Sequence, residues 1–306
     1  MDTRKLMYFV RIVDSGSITK AASNLHVAQP ALSQQVASLE KEFKQRLLIR
    51  TKQGVEPTAA GQALYRHAQT ILRLVEQART DVEVSAEEPV GRVSIAIAPY
   101  SMVSRLVPDI VSAVAQRYPG IVLHITESFG GVLSEAIRIG KLDMALIYEP
   151  KRIHGVQFTT MIEEDLHLVA NADRVVGDGE TVTLAEVSTL PLFLPERIHT
   201  LRQLVDEGLA AGNHSMNLAG EVESVPSLGR LIHADLGVAI LPKSAASALY
   251  EHDDFRTLRI VEPGLPCKIA LCTAVHEPLS ESAMAVLIII REIIRRESEK
   301  EAGFGL

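Results

Sequence analysis

The hydrophobic period of this 306-residue chain changes once, around Pro89 and Gly91, and that change limits what it can fold into. Ahead of it, apolar residues recur mainly at helical spacing. Behind it, strand-like runs alternate with helical ones, the pattern of a largely parallel, doubly wound sheet. The chain therefore reads as multidomain, a small helical head on an α/β body. Charge divides at a similar place. The net charge is -7, yet residues 1–58 carry nine Lys/Arg against five Asp/Glu, and the other 248 carry 22 against 33. A basic head on an acidic body points to a polyanion as the head's partner.

Three amphipathic segments open the head. Leu6, Phe9, Val10 and Val13 form one helix face; Ile18, Ala21, Ala22 and Leu25 form the next, with Ser17 as N-cap; Leu32, Val36, Leu39 and Phe43 form the third. A short helix, a tight "HVA" connection and a longer helix outline a helix-turn-helix, although the turn lacks glycine. A plain three-helix bundle is the alternative. The polar side of the third helix favours the first reading. It carries Pro30, Gln34, Ala37 and Lys41, flanked by Ser33 and Ser38, where a solvated face usually shows Glu and Lys. A glutamine can bond adenine N6 and N7 together, serine serves base or phosphate, and small carbons meet a thymine methyl. Pro30 is a start signal, because the first turn loses nothing by its missing N–H. "RLLIRTKQGVEPT" then reads as a β-hairpin, either a solvated tip or a wing whose Arg46, Arg50 and Lys52 meet phosphates.

Beyond Thr58 a helix runs for about thirty residues. Leu64, Ala68, Ile71, Val75, Ala78 and Val82 are spaced 4, 3, 4, 3, 4, a seam for a second copy or for the chain's own head.

In the body, "RVSIAIA", "IVLHITES" and "LDMALIY" are strands separated by helices. A second set follows through "PLFLP", "NLAGEVES" and "GVAILP", then "KIALCTAV" and a closing helix near 280–300. Two α/β units on one chain imply two lobes and a cleft. Ligands of such sheets sit at strand carboxyl ends and helix N-termini. That rule selects Ser101, Met102, Ser128, Phe129 and Tyr148 from one lobe, and Phe193, Pro195 and Ser224 from the other.

"GSITKAASNLHVAQPALSQQVASLEKEF" followed by "LLIRTKQGVEPTAAG" resembles the DNA-binding domain of LysR-type transcriptional regulators. "GRVSIAIAP", "RYPGIVLHITE", "GKLDMALIY" and "LGVAILP" are similar to that family's effector-binding domain. The resemblance implies a winged helix-turn-helix over 1–58, a linker helix for dimerisation over 59–88, and a body over 91–306 like type 2 periplasmic binding proteins. Its lobes would be 91–164 with 268–306, and 165–267. DNA contacts are then expected from Gln29, Pro30, Ser33, Gln34, Ser38, Lys41, Arg50 and Lys52. Many relatives have Ser or Thr where this chain has Ala28, whose missing side-chain cap costs about 1 kcal/mol. Many have Arg where this chain has Gln34, which shifts the expected base toward A·T. The implied partners are promoter DNA carrying an interrupted inverted repeat, a second copy in a dimer or homotetramer, RNA polymerase, and a small-molecule effector. The cleft either takes a small metabolite, commonly a carboxylate in this family, or stands without one.

Other functions lack residues to carry them. There is no G-x-S-x-G, H-E-x-x-H or P-loop, the ten histidines keep no ligand spacing, and neither a cofactor nor a metal is expected. Cys267 and Cys272 read as inert buried thiols. The start of the chain has no secretory h-region, and the apolar run at 283–290 is too short for a bilayer, so a cytoplasmic protein is expected.

Overall fold

The computed structural model describes residues 2–51, 54–83, 88–128, 130–138, 140–149, 153–174, 179–246, 255–275 and 278–303. They form two compact units, one of the described residues up to 83 together with 140–141, the other of the rest from 88 on.

The N-terminal unit runs α1 (Thr3–Ser15), α2 (Ile18–Asn24), α3 (Gln29–Phe43), β1 (Leu48–Thr51), β2 (Gly54–Pro57) and α4 (Ala59–Glu83). Asp2 caps α1 by accepting from Arg4 N, and Ser17 caps α2 by accepting from Lys20 N. His26 supplies the left-handed residue of the α2–α3 turn, with φ 53, where glycine would be unstrained. Leu6, Phe9, Ile12, Ala21, Ala22, Leu32, Val36 and Leu39 make the core. Ala21 and Ala22 keep α2 close to its neighbours, as their small side chains suggest. Phe43, assigned to the inner stripe by periodicity, is 41% exposed. The helix ends one residue later at left-handed Lys44, so no core extends beneath it.

β1 and β2 pair antiparallel, Leu48 with Pro57 through Thr51 with Gly54. The last turn of α3 holds this hairpin, because Glu40 Oε1 accepts from Leu47 N at 2.9 Å and from Leu48 N at 3.3 Å. Thr58 joins hairpin to α4. Its Oγ1 donates to Arg46 O at 2.6 Å and accepts from Gly61 N at 3.0 Å.

The C-terminal unit begins with β3 (Gly91–Ile97), α5 (Met102–Arg105), α6 (Val107–Arg117), β4 (Ile121–Glu127), α7 (Gly130–Arg138) and β5 (Met144–Tyr148). The long β6 (Val156–Asn171) leads to β7 (Thr181–Thr183), α8 (Leu184–Thr189), β8 (Leu192–Leu194), α9 (Thr200–Ala211), β9 (Leu218–Glu221) and α10 (Val225–His233). Then come β10 (Val238–Pro242), α11 (Lys243–Ala246), β11 (Phe255–Val261), β12 (Pro266–Ala274) and α12 (Glu281–Gly303).

The main strand order is β4-β3-β5-β12-β6-β10-β8-β9, with β11 beside β6 and β7. β3 pairs parallel with β4 and β5, and β8 parallel with β9 and β10. β6 crosses between the two halves. Its residues up to Asp165 pair with β12, and those from Leu166 pair with β10 and β11. The chain also returns between halves at Leu265 and Pro266. β6, β7 and β11 are strands that sequence periodicity did not mark. Cys267 and Cys272 are both buried on β12, and burial pushes both thiols up, Cys272 to about 12, so neither supplies a thiolate.

Candidate DNA-reading face and interlobe cleft

Helix α3 presents Pro30, Gln34, Ala37 and Lys41 to solvent, while Leu32, Val36 and Leu39 face the core. Pro30 lies in the first turn. Ala28 is the N-cap and makes no side-chain cap bond, so the first amides of the helix lack a protein side chain to accept from them. Gln29 is exposed at the same end, and its Nε2 donates to Ser33 Oγ at 3.1 Å, a brace one turn long.

Ser38 departs from the expected reading face. It is half-buried toward α1, and its Oγ accepts from Lys5 Nζ at 2.9 Å. Ser33 is half-buried too, but its partner Gln29 lies on α3 itself; the two flanks, about 140° apart at 100° per residue, differ in which helix supplies the partner. Arg50 is exposed on the hairpin, and Arg46 is exposed just ahead of it, between α3 and β1. Lys52 lies outside the described residues.

The proposed seam on α4 divides. Leu64 and Ala68 are buried in the core of their own unit, and Ile71 packs against it, so the first half of that stripe is not available to a second copy. A 3-4 repeat fixes which residues share a face, but α1 takes this one. Of the second half of the seam, Ala78 is exposed, and His67 and Leu74 beside that stripe are exposed with it; Leu74 is 46% exposed. Val75 lines an open groove of about 540 Å3 between α1 and α4, with Met7, Val10 and Leu72. The side chain of Val82 lies outside the described residues.

In the C-terminal unit the two halves of the sheet face each other across a cleft. Tyr148 and Pro195 line it, together with Ala98, Pro99, Tyr100, His199, Thr200 and Leu201. The other expected residues have other work. Ser101 is buried as the N-cap of α5, accepting from Ser104 N and donating to Ala98 O at 2.6 Å. Met102 is core. Phe193 is half-buried against Gly220 and Gly237, where a Cβ would approach its ring to 3.1 and 2.7 Å. Ser224 is an exposed N-cap of α10, and Ser128 uses its backbone N–H on Ile97 O. Phe129 lies outside the described residues.

One wall of the cleft rests on a buried guanidinium. Arg202 is 1% exposed; its Nε donates to Asp206 Oδ1 at 2.8 Å, and its Nη1 to Pro195 O at 2.9 Å and Glu221 Oε1 at 3.0 Å. His199, buried at the N-cap of α9, sets Nε2 at 2.8 Å from Glu223 Oε2. Tyr100, His199 and Arg202 were not singled out from sequence. Strand-end reasoning stops at β8 and does not see that the next helix turns its first residues back into the cleft.

A winged helix-turn-helix ahead of a two-lobed α/β unit with a cleft defines a DNA-binding transcriptional regulator. The chain belongs to the LysR family of bacterial regulatory helix-turn-helix proteins. The family's helix-turn-helix domain matches residues 3–62, and its substrate binding domain matches 86–294. The nitrogen assimilation regulatory protein nac of Escherichia coli K12 is 41% identical over 96% of this chain and 95% of its own length. Its counterpart in Klebsiella aerogenes is 40% identical over 97% of both. Among solved structures, full-length CbnR complexed with its target DNA is 25% identical, with a TM-score of 0.68 over 97% of this chain and 99% of that one. A full-length OxyR variant from Pseudomonas aeruginosa, 21% identical, shares the fold with a TM-score of 0.74 over 96% of this chain and 95% of that one.

Proposed function

We propose that α3 reads promoter DNA through its Pro30–Gln34–Ala37–Lys41 face, in a dimer or dimer of dimers on an interrupted inverted repeat, and that the genes so controlled serve nitrogen assimilation. The observation that carries the reading role is the exposed, largely uncharged face of α3, with Gln34 at its centre. The uncapped start of α3 adds outward amides for a phosphate, and Arg46 and Arg50 add charge ahead of and on the hairpin. The pathway assignment rests on the 40–41% identity to the nac proteins over nearly the whole chain. Genome-wide co-precipitation tests it, and enrichment of promoters unrelated to nitrogen supply would oppose it.

Gln34→Ala is expected to cost roughly 1–3 kcal/mol on the cognate site and to relax base choice at one position per half-site. Equal loss on every sequence would remove Gln34 from the reading role. Arg50→Ala is expected to weaken binding to all DNA alike and to flatten the plot of log K against log salt by about one unit. Leu74→Asp, on the exposed line of α4, is expected to lower the sedimentation mass while leaving the fold intact, because a charge there opposes apolar pairing. An unchanged mass would move the dimer contact off this face.

A further inference from the structure

One lysine of the N-terminal unit holds its charge against a neutral group. Lys5 is half-buried on α1, and its ammonium donates to Ser38 Oγ on α3 at 2.9 Å. A lysine of this exposure normally keeps its ammonium in water or on a carboxylate. Among the described residues Lys5 makes no ion pair; Glu42, one turn beyond Ser38, feels its charge from a distance. An ammonium has three N–H donors, and Ser38 takes one of them.

The place of that ammonium follows from the helix. At 100° per residue, Ser38 and Ser33 flank the Pro30–Gln34–Ala37–Lys41 face, each about 70° from its centre. An α-helix with its side chains is about 10–12 Å across, and the major groove is about 12 Å wide. The centre of the face then meets base edges, and the flanks meet the two phosphate walls. The flanks carry different charge. Ser33 is braced by Gln29 of α3 itself at 3.1 Å, a neutral pair. Ser38 holds a positive charge that comes from α1. An ammonium and a hydroxyl proton are donors that phosphate oxygens accept.

We propose that Lys5, carried by α1 and held by Ser38, is a DNA contact that the reading helix does not itself supply. Its ammonium takes a backbone phosphate on the α1 side of α3, and Ser38 is the positioning residue that aims it. The proposal rests on α3 lying in the major groove, and it gives Ser38 an indirect role in place of a direct contact.

The test is Lys5→Gln in the full chain, which removes the charge and keeps a donor for Ser38. Binding to cognate and random duplexes is titrated at several salt concentrations. The plot of log K against log salt is expected to flatten by about one unit on both duplexes, with a melting temperature within a few degrees of wild type. Lys5→Arg, which keeps the charge, should keep the slope. Ser38→Ala leaves the charge without its anchor. It should keep the slope and weaken binding about two- to tenfold on both duplexes, because a free lysine must then be ordered on binding. A wild-type slope for Lys5→Gln overturns the proposal, and a lowered melting temperature with it would make Lys5 only a brace between α1 and α3. A loss confined to the cognate duplex overturns it too, by making Lys5 a reader of a base. Unchanged affinity in Ser38→Ala removes the positioning role. Gln34→Ala separates this contact from base reading. Relaxed base choice there with an unmoved Lys5→Gln slope sinks the phosphate contact and leaves α3 as the reading helix. Equal loss on every sequence there with a flattened Lys5→Gln slope keeps the phosphate contact and removes the base reading. Should Lys5→Gln not fold, Lys5→Met takes its place under the same criterion.

Discussion

Arg202→Met is expected to destabilise the C-terminal unit by about 3 kcal/mol, the lower end of the range for removing one partner of a buried ion pair. The lower end applies because Asp206 and Glu221 are 30% and 43% exposed and regain water when the guanidinium goes. The guanidinium itself is 1% exposed and makes three hydrogen bonds, two of them charge-assisted. Methionine fills much of the space but leaves Pro195 O and both carboxylates facing an apolar chain. For a unit of this size the loss corresponds to a fall in melting temperature of about 6–12 °C, readable by calorimetry on the full chain. Adding Glu221→Gln should recover part of it, since one of the abandoned charges is then gone. A fall under about 2 °C would show that the guanidinium does not hold α9 in place. The variant also tests the cleft, because α9 delivers Thr200 and Leu201 to its wall.

The residues most legible in sequence are those whose role is set within one or two turns of helix. Pro30 and the Leu32–Val36–Leu39 stripe orient α3 unaided, so the exposure of Gln34 follows from spacing. Alternation of strands and helices likewise gives the body's architecture, since each strand–helix pair is a local unit. What sequence left hidden depends on contacts far apart in the chain. Periodicity does not mark the stretch of β6 around Glu163, Glu164 and Asp165 as a strand, yet one continuous strand passes there between the two halves of the sheet, at the lobe boundary the family resemblance implied. Leu64 and Ala68 keep perfect seam spacing, and spacing cannot say that α1 is the neighbour. Ser38 differs from Ser33 only because Lys5, 33 residues earlier, reaches it. Tyr100 looks like an ordinary loop aromatic until β9 is placed opposite.

The largest expected effect in the N-terminal unit comes from a methyl group. In Gly54→Ala, the new Cβ would stand 2.3 Å from Gly16 O, a backbone atom that has no rotamer to escape into. That oxygen already accepts from Val55 N at 2.8 Å, the bond that docks β2 on the α1–α2 turn. Gly54 also holds φ 143, a region that costs a side-chain-bearing residue about 1–3 kcal/mol by itself. Strain and overpacking together should reach about 3 kcal/mol or more, enough to lower the first thermal transition by over about 10 °C in a unit this small. Gly16→Asn is the control in the same contact. Its φ is 60, which asparagine tolerates, and a Cβ there meets nothing within 4 Å. That variant should melt within a few degrees of wild type, at a cost below about 1 kcal/mol. Displacing the hairpin should also weaken binding to cognate and random DNA by the same factor, if Arg50 on it meets phosphates as proposed and not bases. If Gly54→Ala melts like wild type, the hairpin is not anchored at Gly16. A selective loss on the cognate sequence would instead make the hairpin a reader of bases.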